Sequence, residues 1–208
     1  MKCYYDMLVR PRSYTILERI AALAKRMGYC KLGVEGNFAP SEMLVRVSIL
    51  KGAKRADIAR LLSNVPRGSI PIVDPEGLDA ARYASVNKRV LGFIVRPGME
   101  RLVDRSTRRL FEERGWGLVV VPLSSVASNP FSRRQWKFVA TVMRRAFAYG
   151  IDLAFASEAA DPLDLWHPMH IVGLAETVDV PGVMVKTWLS SSVSRNLERF
   201  LSRGKPKV

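Results

Sequence analysis

Short apolar, β-rich runs alternate with helical runs along the whole chain, and this alternation limits the fold more than any other feature. The apolar runs are CYYDMLV (3–9), YCKLGVE (29–35), MLVRVSIL (43–50), SIPIVD (69–74), RVLGFIV (89–95), GLVVVPL (117–123), DLAFAS (152–157) and GVMVKTWL (182–189). Helical patterns fill 13–28, 54–65, 78–89, 101–115, 131–147, 167–178 and 192–203. Strands that are apolar throughout are buried on both faces, which predicts a parallel sheet covered by helices. Eight such units, spaced by about 25 residues, predict a compact α/β fold, a (β/α)8 TIM-like barrel. The stretch GNFAPSE (36–42) leaves little room for a helix, so the barrel is expected to be distorted near its second and third units. An open doubly wound sheet is the alternative, but the chain lacks a G-x-G-x-x-G loop. The reading gives one domain over 1–203 and a basic tail at 204–208. Ser13 and Asp161 are placed as caps, and Gly28 and Gly115 as helix-ending residues.

Charge narrows the function. Lys and Arg number 33 against 19 Asp and Glu, a net charge of +14. A field of that size draws polyanions. Arginine dominates lysine, and guanidinium both forks onto phosphate and stacks on bases, which suits RNA. Genome composition or heat adaptation could also raise arginine, and the scarcity of labile amides (Gln135 is the sole glutamine) fits a heat-adapted source. No apolar run reaches the roughly 20 residues of a membrane span, and MKCYYDML has no signal-peptide shape. A cytoplasmic protein with no membrane partner is expected. Cys3 and Cys30 show no metal or redox spacing; buried thiols are the default, with a disulfide left open.

The segment FSRRQWKFVATVMRRAF (131–147) combines five basic residues with a helical apolar pattern. At 3.6 residues per turn Trp136, Val139, Ala140, Met143 and Phe147 share a face expected to pack on the sheet. Arg133, Lys137 and Arg144 lie opposite, with Arg134 and Arg145 at the flanks. No acidic residue interleaves them, so this outer stripe is a candidate phosphate-binding surface. The neighbouring aromatics are assigned to the core, so base stacking is not expected there.

Barrel chemistry sits at the C-terminal strand ends. Those positions hold Asp6, Arg10, Arg12, Glu35, Lys51, Asp74, Glu76, Arg96, Ser124, Ser125, Ser157, Glu158, Asp161 and Lys186. Asp6, Glu35, Asp74 and Glu158 could gather divalent metal for a nuclease. Lys186, read as lying in the last strand, could serve a barrel enzyme acting on an anionic small molecule beside a rim carboxylate. His167 and His170, three apart, have no third ligand.

Four segments in order, VNKRVLGFIVRPG, LVDRSTRRLFEERGWGLVVVPLS, FASEAADPLDLWHPMHIVGL and PGVMVKTWLS, resemble the thirty-kilodalton subunit family of archaeal and eukaryotic ribonuclease P. The resemblance implies a TIM-like barrel related to the polymerase and histidinol phosphatase barrels. It implies a protein subunit of the ribonucleoprotein that removes the 5′ leader of precursor tRNA, in which RNA and its Mg²⁺ are catalytic. The isolated chain is then non-catalytic and holds no cofactor of its own. Its implied partners are ribonuclease P RNA, precursor tRNA and a small ferredoxin-like protein subunit, two such pairs assembling as a heterotetramer. Arg96 matches the family's strand-end arginine, Asp104 and Arg109 the VDRSTRRL helix, and Lys186 the lysine of the last strand. Family members often read Trp-Asp-Val-Arg-Ser-Pro-Arg-Asp where this chain reads LDLWHPMH, so Trp166 and Met169 stand in place of arginines. The metal-binding histidines of the phosphatase relatives are absent. Arg10, Arg12, Arg96, Arg109, Arg133, Arg134, Lys137, Arg144 and Lys186 are the candidate RNA- or partner-binding residues, and none is assigned a catalytic role.

Overall fold

The computed structural model describes residues 3–124, 126 and 132–203. The expected tail 204–208, Ser125 and Phe131 lie outside the described residues. Seven parallel strands form one sheet in sequence order: β1 Tyr4–Val9, β2 Tyr29–Glu35, β3 Leu44–Gly52, β4 Ile70–Pro75, β5 Gly92–Ile94, β6 Leu118–Pro122 and β7 Leu153–Ala156. The sheet curls until β1 meets β7. There Glu158 N–H donates to Leu8 O at 2.9 Å and Arg10 N–H to Ala159 O at 2.9 Å. This is a nearly closed, distorted TIM-like barrel, as the alternation predicts.

The expected distortion falls where the sequence placed it. No helix separates β2 from β3, although parallel neighbours ordinarily need a crossover of a dozen or more residues. The register explains how eight residues suffice. Leu32 pairs with Leu44 and Glu35 with Val47, so the connection descends only three residues of strand, about 10 Å at roughly 3.3 Å each. Arg46 ties it down, giving two guanidinium hydrogen bonds to Phe38 O.

Helices α1 Tyr14–Arg26, α2 Arg55–Ser63, α3 Leu78–Val86, α4 Arg105–Arg114, α5 Arg133–Tyr149 and α6 Pro168–Glu176 follow the predicted segments. Ser13 Oγ accepts the Ile16 N–H at the start of α1, and Gly115 ends α4 at φ +89°. The segment expected as the eighth strand is instead helical: α7 Gly182–Thr187 runs through a π-turn, Trp188–Ser192, into α8 Val193–Ser202. Its buried residues, Gly182, Val185, Trp188 and Leu189, recur every three to four positions. That is helical spacing, concealed by the β-branched composition that suggested a strand.

Alternate strand residues face two cores. Val73, Phe93, Val119, Val121 and Phe155 point outward against the helices. Ile70, Ile72, Ile94, Val120 and Ala154 point inward, and Val193, Leu197 and Phe200 of α8 join them. Asn196 Oδ1 accepts the Gly117 N–H at 2.8 Å, and Arg199 reaches Gly115 O. These contacts lay α8 across the N-terminal end of the barrel, which it plugs.

Cys3 and Cys30 form a disulfide, with Cα atoms 5.3 Å apart at the starts of β1 and β2. The default expectation of two free thiols is thereby corrected. Parallel strands in register bring the two residues side by side, which spacing along the chain could not reveal. Among the described residues no helix is long and apolar enough to cross a membrane.

Candidate functional site

Two-residue periodicity builds the barrel's C-terminal mouth. One step beyond the inward Gly33, Ile49, Ile72, Ile94 and Ala156 come Glu35, Lys51, Asp74, Arg96 and Glu158. Arg10, just past β1, joins them. The charges form a chain: Arg10 lies 2.6 Å from Glu35 and 3.2 Å from Glu158, and Arg96 lies 3.0 Å from Glu158 and 2.8 Å from Asp74. Arg96 forks onto Asp74, Nε to Oδ1 at 3.0 Å and Nη2 to Oδ2 at 2.8 Å. Ser124 Oγ donates to Glu158 Oε2. Arg10 Nε meets Glu35 out of line for a hydrogen bond, so that contact is ionic, and its buried Nη2 finds no acceptor among the described residues.

Burial alone would raise the Glu158 carboxyl. Hydrogen bonds from Arg96 and Ser124 and the charges of Arg96 and Arg10 outweigh it and hold the carboxyl below its ordinary value. Burial likewise opposes the Arg96 charge, but Asp74 and Glu158 push its pKa above the usual arginine value. Glu158 sits at φ +53°, a left-handed conformation that costs a non-glycine residue roughly 1–2 kcal/mol. The ion pairs and the Leu8 hydrogen bond keep it there.

The carboxylates expected to gather metal are therefore engaged otherwise. Glu35, Asp74 and Glu158 face guanidinium groups. Asp6 is buried and accepts backbone N–H groups from Leu8 and Ser157. Among the described residues no group of three His, Cys, Asp or Glu side chains converges as a metal site. His167 caps α6, its Nδ1 accepting the Met169 N–H at 3.1 Å, and its ring lies 5.6 Å from that of His170.

Lys186 is not at this mouth. It stands half-buried on α7, in a cleft of about 540 Å³ shared with Cys3, Tyr5, Ser190 and Glu198. Cys3 and Tyr5 begin β1, so the cleft opens toward the other end of the barrel from Arg96. The strand-end reading of Lys186 fails because its segment is helical. The small-molecule enzyme built on Lys186 and a rim carboxylate loses its geometry with it.

The remaining basic candidates divide by what holds them. Arg109 is an exposed partner of Glu113 one turn along α4. Asp104 caps that helix, accepting the Thr107 N–H at 2.8 Å and a fork from Arg82. Arg144 donates to Val178 O at 3.0 Å and lies 3.5 Å from Asp179. Arg12, Arg133, Arg134 and Lys137 are exposed and pair with no carboxylate among the described residues.

Helix α5 buries Phe138, Val139, Val142, Met143 and Ala146. Its apolar face is thus rotated from the expected one. Phe147 is 41% exposed, and Trp136 and Ala140 are only half-buried. The stripe of Arg133 and Lys137 consequently borders aromatic surface. That surface faces a groove against α6 and the turn before it, where Trp166, Met169 and His170 lie. In sequence Trp166 and Met169 are departures from the family pattern, with no local signal that they face Trp136. Only the docking of α6 beside α5 makes them neighbours.

No family model matches the chain. Ribonuclease P protein component 3 of Aeropyrum pernix is 34% identical over 191 residues, spanning 85% of this chain and 88% of that protein. A chain in a cryo-EM structure of archaeal ribonuclease P with mature tRNA superposes with a TM-score of 0.75 at 10% identity, covering 98% of this chain and 94% of that one. At that identity the likeness concerns the fold, and it agrees with the distorted barrel described above. The identity to the Aeropyrum protein, held over nearly the full length of both chains, shows that this chain belongs to the ribonuclease P protein component 3 family.

Proposed function

We infer that this chain is a non-catalytic protein subunit of ribonuclease P, supporting the RNA that removes the 5′ leader of precursor tRNA. Kinship supplies the assembly. The observation that carries the non-catalytic role is the filled mouth. Where a barrel enzyme would hold a nucleophile, base or metal, two guanidinium groups and three carboxylates are paired with one another. Chemistry then belongs to the RNA and its Mg²⁺, while the protein contributes charge and shape.

In this reading Arg12, Arg133, Arg134 and Lys137 meet RNA phosphate, since no described carboxylate holds them. Arg109 and Arg144 add to the positive field around their ion pairs, and Arg10 and Arg96 hold the mouth in shape. Lys186, on the opposite side of the barrel, is available to a protein partner. A small ferredoxin-like subunit, joined as a pair of heterodimers, is the partner the family resemblance implies.

Reconstitution tests the reading. The chain should raise cleavage of precursor tRNA by ribonuclease P RNA with the partner proteins and Mg²⁺, and cleave nothing by itself. Specific 5′ cleavage by the purified chain, lost on Glu158→Gln, would overturn it.

A further inference from the structure

The groove between α5 and α6 has two stretches, of about 810 and 620 Å³, that share Trp136, Leu174 and Thr177 and so form one channel. One wall is cationic: Arg133, Arg134 and Lys137. Arg133 and Lys137 lie one helical turn apart, about 6 Å. The other end is aromatic and soft, with Trp166, Met169 and His170. Among the described residues no carboxylate lines either stretch.

Gly173 supplies an independent observation. It lies inside α6, exposed, and a Cβ built on it would meet nothing within 4 Å. A glycine within a helix costs up to about 1 kcal/mol relative to alanine. The chain's own packing does not require one here. What Gly173 keeps open is the floor of the groove. The turn before α6 is also fixed in advance. The buried Tyr29 donates to Trp166 O at 2.7 Å, and Asp164 accepts the N–H groups of Ala160 and Asp161.

We propose that this groove seats a single strand of RNA, with phosphates along Arg133, Arg134 and Lys137 and an unstacked base against Trp166 over Gly173. Cations without acids select a polyanion, and aromatic faces select one whose bases are splayed out. A duplex offers phosphates but no free base face. The proposal deepens the reading of the chain as an RNA-binding subunit and rests on it.

The test uses the full chain, a short oligouridylate and a matched RNA duplex. Trp166→Ala and Gly173→Leu should each weaken oligouridylate binding roughly tenfold, the scale of one lost base stack, and leave duplex binding and the salt slope unchanged. The Cβ that Gly173→Leu adds meets nothing within 4 Å and leucine is a better helix former, so the melting temperature should not fall. Trp166→Phe should retain affinity. Replacing Arg133, Arg134 and Lys137 by alanine should flatten the log–log salt dependence by about two. Unchanged oligouridylate affinity in Trp166→Ala and Gly173→Leu overturns the groove, and the subunit reading stands if the wild-type chain still binds ribonuclease P RNA. If those variants instead lose only a protein subunit of ribonuclease P, the groove is a protein interface and the proposal is wrong. A wild-type chain that binds no RNA removes the subunit reading itself.

Discussion

Arg96 and Glu158, 62 residues apart in sequence, are joined by two hydrogen bonds of 3.3 and 3.0 Å across the barrel mouth. Glu158 is nearly enclosed, with its side chain 5% exposed, and Asp74 on the other side of Arg96 is 9% exposed. Removing the guanidinium strips Asp74 of its described ion pair and leaves Glu158 with Arg10 and Ser124 alone. Arg96→Ala should therefore cost about 3 kcal/mol of stability, the usual effect of breaking a buried pair from one side. Denaturant unfolding of the variant checks this. In the wild type the depressed Glu158 carboxyl contributes stability that is present above the ordinary value of 4.5 and lost as pH falls below it. Glu158→Gln should remove that acid limb.

Asp6 has the opposite sign. Its carboxylate accepts the Ser157 N–H at the β1–β7 seam, in the position a backbone carbonyl would take, and burial pushes its pKa from 3.8 up to about 6. The native state then binds more protons than the unfolded chain between those values, so this group's contribution declines as pH rises through 6. The loss is on the order of 3 kcal/mol between pH 4 and 7. Asp6→Asn keeps an acceptor and should flatten that descent in a series of unfolding measurements across pH. An unaltered slope would place the titration elsewhere.

The Cys3–Cys30 bond closes a loop with a sequence separation of 27. Loop-closure entropy gives it about 3–4 kcal/mol. Cys3→Ser with Cys30→Ser should lower stability by that order, and a reducing agent should do the same to the wild type but not to the double variant.

Arg114 is 6% exposed and pairs with no carboxylate among the described residues; it donates instead to the carbonyls of Trp116, Ala84, Asn87 and Leu91, at 2.7 to 3.1 Å. The guanidinium fork stitches the end of α4 to the starts of β5 and β6. A lysine has three donors on a single nitrogen and cannot span these acceptors. Arg114→Lys should destabilise by about 3 kcal/mol, with two charge-assisted hydrogen bonds lost. Thermal unfolding measures it, and a variant that melts with the wild type would show that the fork is dispensable.

The sequence by itself determined the seven parallel strands, seven helices (α1 to α6 and α8) and the missing helix between β2 and β3, because apolar periodicity and capping chemistry are local. It also placed Glu35, Asp74, Arg96 and Glu158 at one end of the barrel, since strand alternation carries a residue two steps past an inward side chain to the mouth. Local pattern could not decide residues 182–189. Val183, Val185 and Trp188 suit a strand as well as a helix, and only a barrel already closed by Leu8 and Glu158 leaves no edge for an eighth strand. Nor could it show that Arg114 is buried while Arg109, five residues earlier on the same helix, is exposed. Both are arginines in one amphipathic run, and their environments are set by what α4 docks against. The same holds for Trp136 and Trp166. Trp136 reads as core in its own helix and Trp166 as a departure from the family pattern, and tertiary packing alone sets both along one groove beside three cations that pair with no carboxylate among the described residues.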